Sequence, residues 1–232
     1  MIKKVISMLM ISVLLMGCIS KEKQTIDSSN IQEESNYEIT NIEETSNNKG
    51  VFNGEDVISK MEVKQYKYVT YGFYYSFMEV ANNSNCTVDV DINILYYDEN
   101  DNLISAESMS EDVLMPGHNA LMFNMLNEDW FSAKYELTVS EPSFFRGIQD
   151  DITYEVSPAK NKLVVTMTNN GNEAAESVEG RVLFFKGEEI VGYSLNYFCD
   201  DDFELKPGKS ISKNLDCYED FDGYKIYVTG YR

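Results

Sequence analysis

The chain has 232 residues and a formal net charge of −20, with 39 acidic and 19 basic side chains. A chain this acidic, with no cluster of basic residues, is not expected to bind nucleic acid or anionic membrane surfaces, because such binding depends on basic side chains. The length allows one or two domains, and an aromatic content of 12% favours strands.

The first segment has the layout of a secretory signal. A cationic start, Met1–Lys4, precedes the stretch Val5–Met16, which is apolar apart from two serines. A helix of this length rises only about 18 Å, which is too short for a hydrocarbon core of about 30 Å. We therefore predict a signal peptide over residues 1–17 and not a transmembrane helix.

A cysteine directly follows the apolar stretch. Leu15-Met16-Gly17-Cys18 resembles the lipobox of bacterial lipoproteins, in which a leucine and a small residue precede an invariant cysteine. The resemblance implies that the Cys18 thiol carries a diacylglyceryl group and that the chain is cut before it. Two acyl chains give stable anchoring to a membrane. Met16 is bulkier than usual at its place, and the alternative is an ordinary signal peptide with a chance cysteine.

Residues 18–60 are rich in serine, asparagine, glutamate and threonine and show no hydrophobic periodicity. Such a segment buries too little apolar surface to offset the entropy of ordering, so we predict a disordered acidic tether. A flexible coil of about 40 residues has an r.m.s. span of about 35 Å, which would lift the folded part off the membrane. The alternative is a recognition segment that folds on binding.

Residues 61–141 predict a first antiparallel β-sandwich. The stretch Tyr66–Phe77 contains seven aromatic residues and predicts two strands that meet near Gly72. Thr87–Asp98 alternates apolar and polar residues, which is typical of a strand with one buried face. Further strands are predicted at 103–106, 120–126 and 134–140.

The dense tyrosines have two interpretations. The candidate aromatic contact surface consists of Tyr66, Tyr68, Tyr71, Tyr74 and Tyr75. Exposed rings of this kind could stack on sugars, whereas the simpler interpretation is that they pack across strands and are partly buried.

The second half repeats the landmarks of the first. An Asn-rich turn, an aromatic-ended strand and a Pro-Gly turn occur at 82–85, 87–98 and 116–117, and again at 169–172, 177–186 and 207–208. Because the offset between copies stays between 87 and 91 residues, we infer an internal duplication. A second sandwich is predicted over 152–232 after a connector over 142–151, with Phe144 and Phe145 at the interface between the two.

Short strands with regular turns in both halves fit an all-β fold of two tandem immunoglobulin-like antiparallel β-sandwiches. The chain here resembles the FxLYD-type immunoglobulin-like domains of bacterial cell-envelope lipoproteins. The resemblance rests on the three landmarks, since Ile94–Asp98 keeps only the closing Tyr-Asp of the signature and Val182–Lys186 also lacks the Asp. It implies an extracytoplasmic β-sandwich and supplies no active site; together with the lipobox, it implies a location on the outer face of the bacterial cytoplasmic membrane.

Residues suited to catalysis or metal binding are sparse. His118, the only histidine, follows the first Pro-Gly turn and has no nucleophile nearby in the sequence, so no catalytic pair is expected. Asp98–Asn102 resembles the start of a calcium loop, but Leu103 and Met109 replace its required glycine and glutamate. We predict no catalytic residue, no metal ligand and no cofactor.

Two of the four cysteines could be bridged. Cys199 and Cys217 each stand nine residues from Gly208. A hairpin centred on that glycine would place them opposite each other, and export permits oxidation. We therefore name Cys199 and Cys217 as a candidate disulfide, while Cys86 has no evident partner.

These features predict a non-enzymatic, lipid-anchored extracytoplasmic module that binds an unknown protein or envelope partner. The lipid on Cys18 would attach the chain to the membrane. The alternative is a carbohydrate-binding or accessory module for an envelope enzyme. No nucleic acid partner is expected. A third alternative is a hydrolase with catalytic carboxylates in Asp200–Asp202 or Glu219–Asp222. It ranks below the other two, because runs of charged residues usually form solvated faces.

Overall fold

The computed structural model describes residues 52–232, so the predicted signal peptide, Cys18 and most of the predicted tether lie outside the described residues. The described part is almost entirely antiparallel β structure, which confirms the predicted all-β class. The first half contains α1 (Gly54–Ile58), β1 (Met61–Thr70), β2 (Phe73–Asn82), β3 (Val88–Tyr97), β4 (Leu103–Leu114), β5 (Asn119–Leu126) and β6 (Ser132–Ser140). The second half contains β7 (Ile152–Ala159), β8 (Lys162–Asn169), β9 (Ala175–Lys186), β10 (Glu189–Tyr197), β11 (Glu204–Leu205), β12 (Ser210–Asp216) and β13 (Gly223–Tyr231).

The strand order of the first half recurs in the second. Sheet A has the order β1-β2-β5 and sheet B the order β4-β3-β6. In the second half, sheet D has the order β12-β8-β7, and in sheet C the central strand β9 pairs with β10, β11 and β13. Among the described helices, none is long and apolar enough to cross a membrane.

The four sheets stack face to face in the order B, A, C, D. Core 1 lies between sheets B and A, and core 2 lies between sheets C and D. A third apolar layer, the A–C interface, joins the halves through Phe77, Leu121, Leu183 and Tyr227. Because sheets A and C are covered on both faces, Ser76–Val80 of β2 is buried continuously instead of alternating.

Strand β3 follows the alternation that the sequence predicts. Its residues at even positions from Val88 to Tyr96 are fully buried in core 1, whereas Asp91 and Asn93 on the other face are exposed. Successive side chains of a strand point to opposite faces, so this sheet has one dry and one wet side.

The folded part begins before residue 61, the predicted boundary. Asn53 caps α1, where its side chain accepts from the Asp56 backbone N at 3.3 Å. Val57 is buried in core 1, and Phe52 packs against the same core. The prediction of disorder is therefore wrong for residues 52–60, because two apolar side chains give this polar segment enough contact to be ordered.

The connector does not supply the contact between the halves. Phe144 is 89% exposed, and Phe145 lies outside the A–C interface, with its ring 4.1 Å from that of Tyr231. The prediction that both residues lie in the interface is wrong, because the halves meet through whole sheet faces. A hydrogen bond of 2.9 Å between His118 Nε2 and Asp150 Oδ1 ties the connector to the first half.

A buried asparagine joins the two turns of the first half. Asn82 Nδ2 donates to the carbonyl oxygens of Cys86 and Leu114, both at 2.9 Å. Its Oδ1 accepts from the Ser84 backbone N at 3.0 Å, and Gly117 N donates to the Asn82 carbonyl at 2.7 Å. The Asn-rich turn and the Pro-Gly turn therefore form one hydrogen-bonded unit.

The second half repeats this arrangement. Asn169 Nδ2 donates to the carbonyl oxygens of Glu173 and Leu205, both at 2.8 Å. Its Oδ1 accepts from Gly171 N at 2.9 Å, and Gly208 N donates to the Asn169 carbonyl at 2.8 Å. The shared bonding explains why both turns occur at matching places in the two halves.

Candidate binding surfaces

The five tyrosines predicted to form one contact surface are separated in the structure. Tyr66, Tyr68 and Tyr75 are partly buried against the A–C interface, and Tyr74 packs against core 1. Tyr71 is 87% exposed at the turn between β1 and β2. The prediction of a common exposed surface is therefore wrong for four of the five.

Contacts with sheet C explain the burial of these rings. The Tyr68 hydroxyl donates to the Val191 carbonyl at 3.2 Å. The Tyr66 ring meets that of Phe185 edge to face, with centroids 6.2 Å apart. Aromatic pairs in this geometry are favourable beyond their buried area. The outer face of sheet A is thus an internal packing face.

The turn between β1 and β2 remains exposed to solvent. We call residues Val69–Phe73 at this turn the hairpin tip. Val69 is 50% exposed and Phe73 is 41% exposed, on either side of the more exposed Tyr71. Scattered single apolar residues are normal on protein surfaces, but three within five successive residues mark a candidate contact site.

The backbone of the hairpin tip is unfavourable for its sequence. Tyr71 has φ +49° and Gly72 has φ +82°, which is the geometry of a two-residue type I′ turn. Asparagine, aspartate or glycine is preferred at the first of these positions, because a β-carbon is strained there. Packing does not explain why a tyrosine with an almost fully exposed side chain occupies it.

The equivalent turn of the second half is polar. It joins β7 to β8 through Lys160 and Asn161, and Asn161 has φ +60°. Asparagine tolerates this backbone well. The aromatic tip is therefore a property of the first half and not of the repeated architecture.

The hairpin tip and the entry of the chain lie at opposite ends of the first half. A β-carbon placed on Gly54 of α1 would lie 3.7 Å from Val139 of β6. Val139 is near the end of β6 that pairs with the start of β3. The β1 strand then runs the length of the sandwich before the tip. At about 3.3 Å per residue, a ten-residue strand spans about 33 Å.

A groove of about 440 Å³ opens in the second half, between the loop that follows β10 and strand β12. Its walls are Cys199, Asp200, Asp201, Asp202, Ile211 and Lys213. The Asp202 carboxylate pairs with Lys206. Among the described residues, no group of three or more histidine, cysteine or acidic side chains is arranged to hold a metal ion.

The predicted Cys199–Cys217 disulfide is not formed, and both thiols are free. The strands on either side of Pro207-Gly208 belong to different sheets, since β11 pairs with β9 and β12 pairs with β8. The turn crosses between sheets and does not close the hairpin that the prediction assumed. Burial raises the pKa of both thiols, which keeps them in the unreactive neutral form.

The A–C interface contains an ion pair between Glu79 and Lys225. Lys225 Nζ lies 2.7 Å from Glu79 Oε2, and the Tyr66 hydroxyl donates to the same oxygen at 2.6 Å. Burial alone would raise the pKa of Glu79, but the hydrogen bonds from Lys225 and Tyr66 outweigh burial and hold it below its usual value.

A second charged group connects β4 to β9. Arg181 Nη1 lies 3.0 Å from Glu111 Oε2 and donates to the Leu121 carbonyl at 2.6 Å, while its Nε contacts Glu179. Burial raises the pKa of Glu111 to about 7, although Arg181 acts to lower it. Sequence reasoning missed these residues, because charges at alternate strand positions resemble a solvent-facing pattern. The only signal was the apolar run Val182–Phe185, which indicates burial on both faces.

The comparisons with known proteins identify no family. No family model and no curated protein matches the chain. A crystal structure of red sea bream transglutaminase is similar at 12% sequence identity and a TM-score of 0.27, over 73% of this chain. The chain spans 31% of that protein, and at such a TM-score the similarity supports no conclusion about fold or function.

Proposed function

We propose that this chain is a membrane-anchored extracytoplasmic lipoprotein that acts as a non-enzymatic binding module. Its two halves are, in this proposal, immunoglobulin-like sandwiches. The hairpin tip is its contact surface. The observation that carries the proposal is Tyr71, an exposed aromatic residue in a left-handed backbone. Backbone strain of this kind clusters at ligand-binding and functional sites.

The sequence Leu15–Cys18 supports the anchor, and the recurring strand order supports two related sandwiches. The chain enters the first half at the end opposite the hairpin tip. A lipid on Cys18 would therefore leave the tip facing away from the membrane. The hairpin tip would then be free to contact a partner in the cell envelope or outside the cell.

The chemistry of the tip favours a protein partner with an apolar pocket. Removal of residues 1–17 would take away Lys3 and Lys4 and lower the net charge from −20 to about −22. A partner surface that is neutral or basic around its pocket would match this charge. Binding of a glycan would need several exposed rings in one plane, and three of the predicted tyrosines face sheet C instead.

We expect the double change Tyr71→Asn and Phe73→Ser to weaken partner binding strongly without unfolding the protein. Buried aromatic anchors commonly contribute 2 kcal/mol or more to binding, so affinity should fall by at least about 30-fold. Proximity labelling on living cells identifies the partner, and titration with the purified partner measures affinity. The matched control is Lys160→Ser in the equivalent turn, and equal labelling by all three proteins would contradict the proposal.

Tyr71→Asn alone should stabilise the fold. Asparagine is favoured in the left-handed region that Tyr71 occupies at φ +49°. We expect the free energy of unfolding to rise by about 0.5–1 kcal/mol, measured by urea denaturation. A loss of stability would show that the tyrosine ring has a packing role.

Cys18→Ser tests the anchor separately. We expect the wild type to incorporate labelled fatty acid and to sediment with membranes, because two acyl chains bind a bilayer stably. The variant should lose both properties. Membrane association that survives the change, with no fatty acid on the wild type, would rule out the lipoprotein part of the proposal.

A further inference from the structure

Two carboxylates share one cation at the contact between the halves. Glu111 is on β4 of the first half, and Glu179 and Arg181 are on β9 of the second. Each carboxylate side chain is 8% exposed and the Arg181 side chain is 18% exposed. One guanidinium cannot neutralise two carboxylates, so the fully ionised group would have an uncompensated negative charge out of water.

A strained backbone follows Glu111 two residues further along β4. Val113 has φ +58°, which is rare for a β-branched residue, and it lies in a bulge where β4 pairs with β3. The Asp89 carboxylate accepts from Val113 N at 2.9 Å, and Gln149 Nε2 donates to the Val113 carbonyl at 3.1 Å. The end of β4 is thus fixed from the connector as well as from β3.

The other charges near Glu111 do not compensate it. Asp112, the neighbouring residue on β4, is acidic, and Asp89 and Asp91 on β3 act mainly on Asp112. On β5, the nearby polar group is the Leu121 carbonyl, which is bonded to Arg181.

Strand β13 also packs against β4. It places the neutral phenol of Tyr227 opposite Arg181 and Thr229 opposite Glu179. The cation on β13, Lys225, is bonded to Glu79. In the described structure, Arg181 is therefore the cation that acts on Glu111.

We propose that this contact is a proton-linked latch, in which Glu111 holds a proton while the halves are docked and releases it to solvent when they part. Burial of two carboxylates beside one guanidinium favours the neutral form of Glu111 in the docked state, and this burial outweighs the opposing contact of 3.0 Å between Arg181 Nη1 and Glu111 Oε2. Parting of the halves exposes Glu111 to water, where the ionised form is stable. The latch does not depend on the proposed function.

The direction of the pH effect follows from the two states. Burial raises the pKa of Glu111 from 4.5 to about 7 in the docked state. A raised pKa means that the docked form binds more protons, so docking weakens as the pH rises from 4.5 to about 7 and then stays constant. Glu79 acts in the opposite sense, because its lowered pKa contributes stability that is lost in acid. Docking is therefore strongest at mildly acidic pH.

Oxidative footprinting of the full chain tests the latch. Hydroxyl radicals label the rings of Phe77 and Tyr227 only when the A–C interface is open. Between pH 5 and pH 8, the linkage relation predicts a rise in their labelling of roughly fifty- to a hundred-fold. Exposed Tyr71 provides the reference rate, and buried Phe184 of core 2 reports unfolding of the second half.

Glu111→Gln is the decisive variant, because glutamine has the same shape and cannot ionise. Its interface labelling should stay low and independent of pH, and carboxyl-carbon NMR should lose a titration near pH 7. A flat wild-type profile, or a slope that persists in the variant, would overturn the latch. Labelling of Phe184 that rises together with that of Tyr227 would also overturn it, because the event would then be unfolding.

Discussion

Replacing Arg181 by methionine should lower the free energy of unfolding by about 3–5 kcal/mol at pH 8, which is the usual cost of leaving buried charges without a partner. The change removes the cation from Glu111 and Glu179 and the donor from the Leu121 carbonyl. Urea denaturation at pH 8 measures the loss. At pH 5 the loss should be smaller, because Glu111, whose pKa is raised to about 7, is then protonated.

A second change separates lost charge pairing from lost packing. Arg181→Met combined with Glu111→Gln and Glu179→Gln leaves no buried charge in the group, so most of the stability should return. Lys206→Met is the matched control, since its ion pair with Asp202 is half-exposed and exposed pairs contribute little. If the triple variant were as unstable as the single one, the methylene packing of Arg181 would be the cause.

Replacing Asn169 by leucine should destabilise the second half by about 3–5 kcal/mol, since each buried polar group left unsatisfied costs about 1–3 kcal/mol. The amide satisfies the carbonyl oxygens of Glu173 and Leu205 and the Gly171 N–H. Asn82→Leu should have an effect of similar size in the first half. Hydrogen exchange of the Pro-Gly turns, together with thermal unfolding, measures both.

An exposed neighbour provides the control for the asparagine variants. Asn83 is exposed and stands next to buried Asn82 in the same turn. Its replacement by alanine should change the free energy of unfolding by less than about 0.5 kcal/mol. Equal losses at buried and exposed positions would show that turn propensity, and not the buried amide, stabilises the turns.

The buried amide and the shared guanidinium stabilise different levels of the structure. Asn82 and Asn169 bond within a single half, so each half depends on its own asparagine. Arg181 spans the two halves through Glu111. We therefore expect the asparagine changes to affect one core at a time and the arginine change to affect docking.

The sequence alone was sufficient for the fold class and for most strand positions. Alternation in β3 predicted which side chains enter core 1, because a strand with one wet face needs polar residues on that face. The turn near Gly72 and the strand at 134–140 also lie where the pattern predicted them. The matching landmarks of the halves correspond to the repeated hydrogen bonds of Asn82 and Asn169.

The tertiary structure alone decided what covers the outer faces of the sheets. Period-two alternation distinguishes the two sides of a strand, but it does not show whether a second sheet covers the side that carries tyrosines and charges. Packing of sheet A on sheet C therefore partly buried three of the predicted contact tyrosines and brought Glu111 to Arg181 across 70 residues of sequence. It left the hairpin tip exposed, since no residue of the tip belongs to the apolar layer between the two sheets. The local pattern is set by neighbouring residues, whereas burial of an outer face depends on a partner far away in the chain.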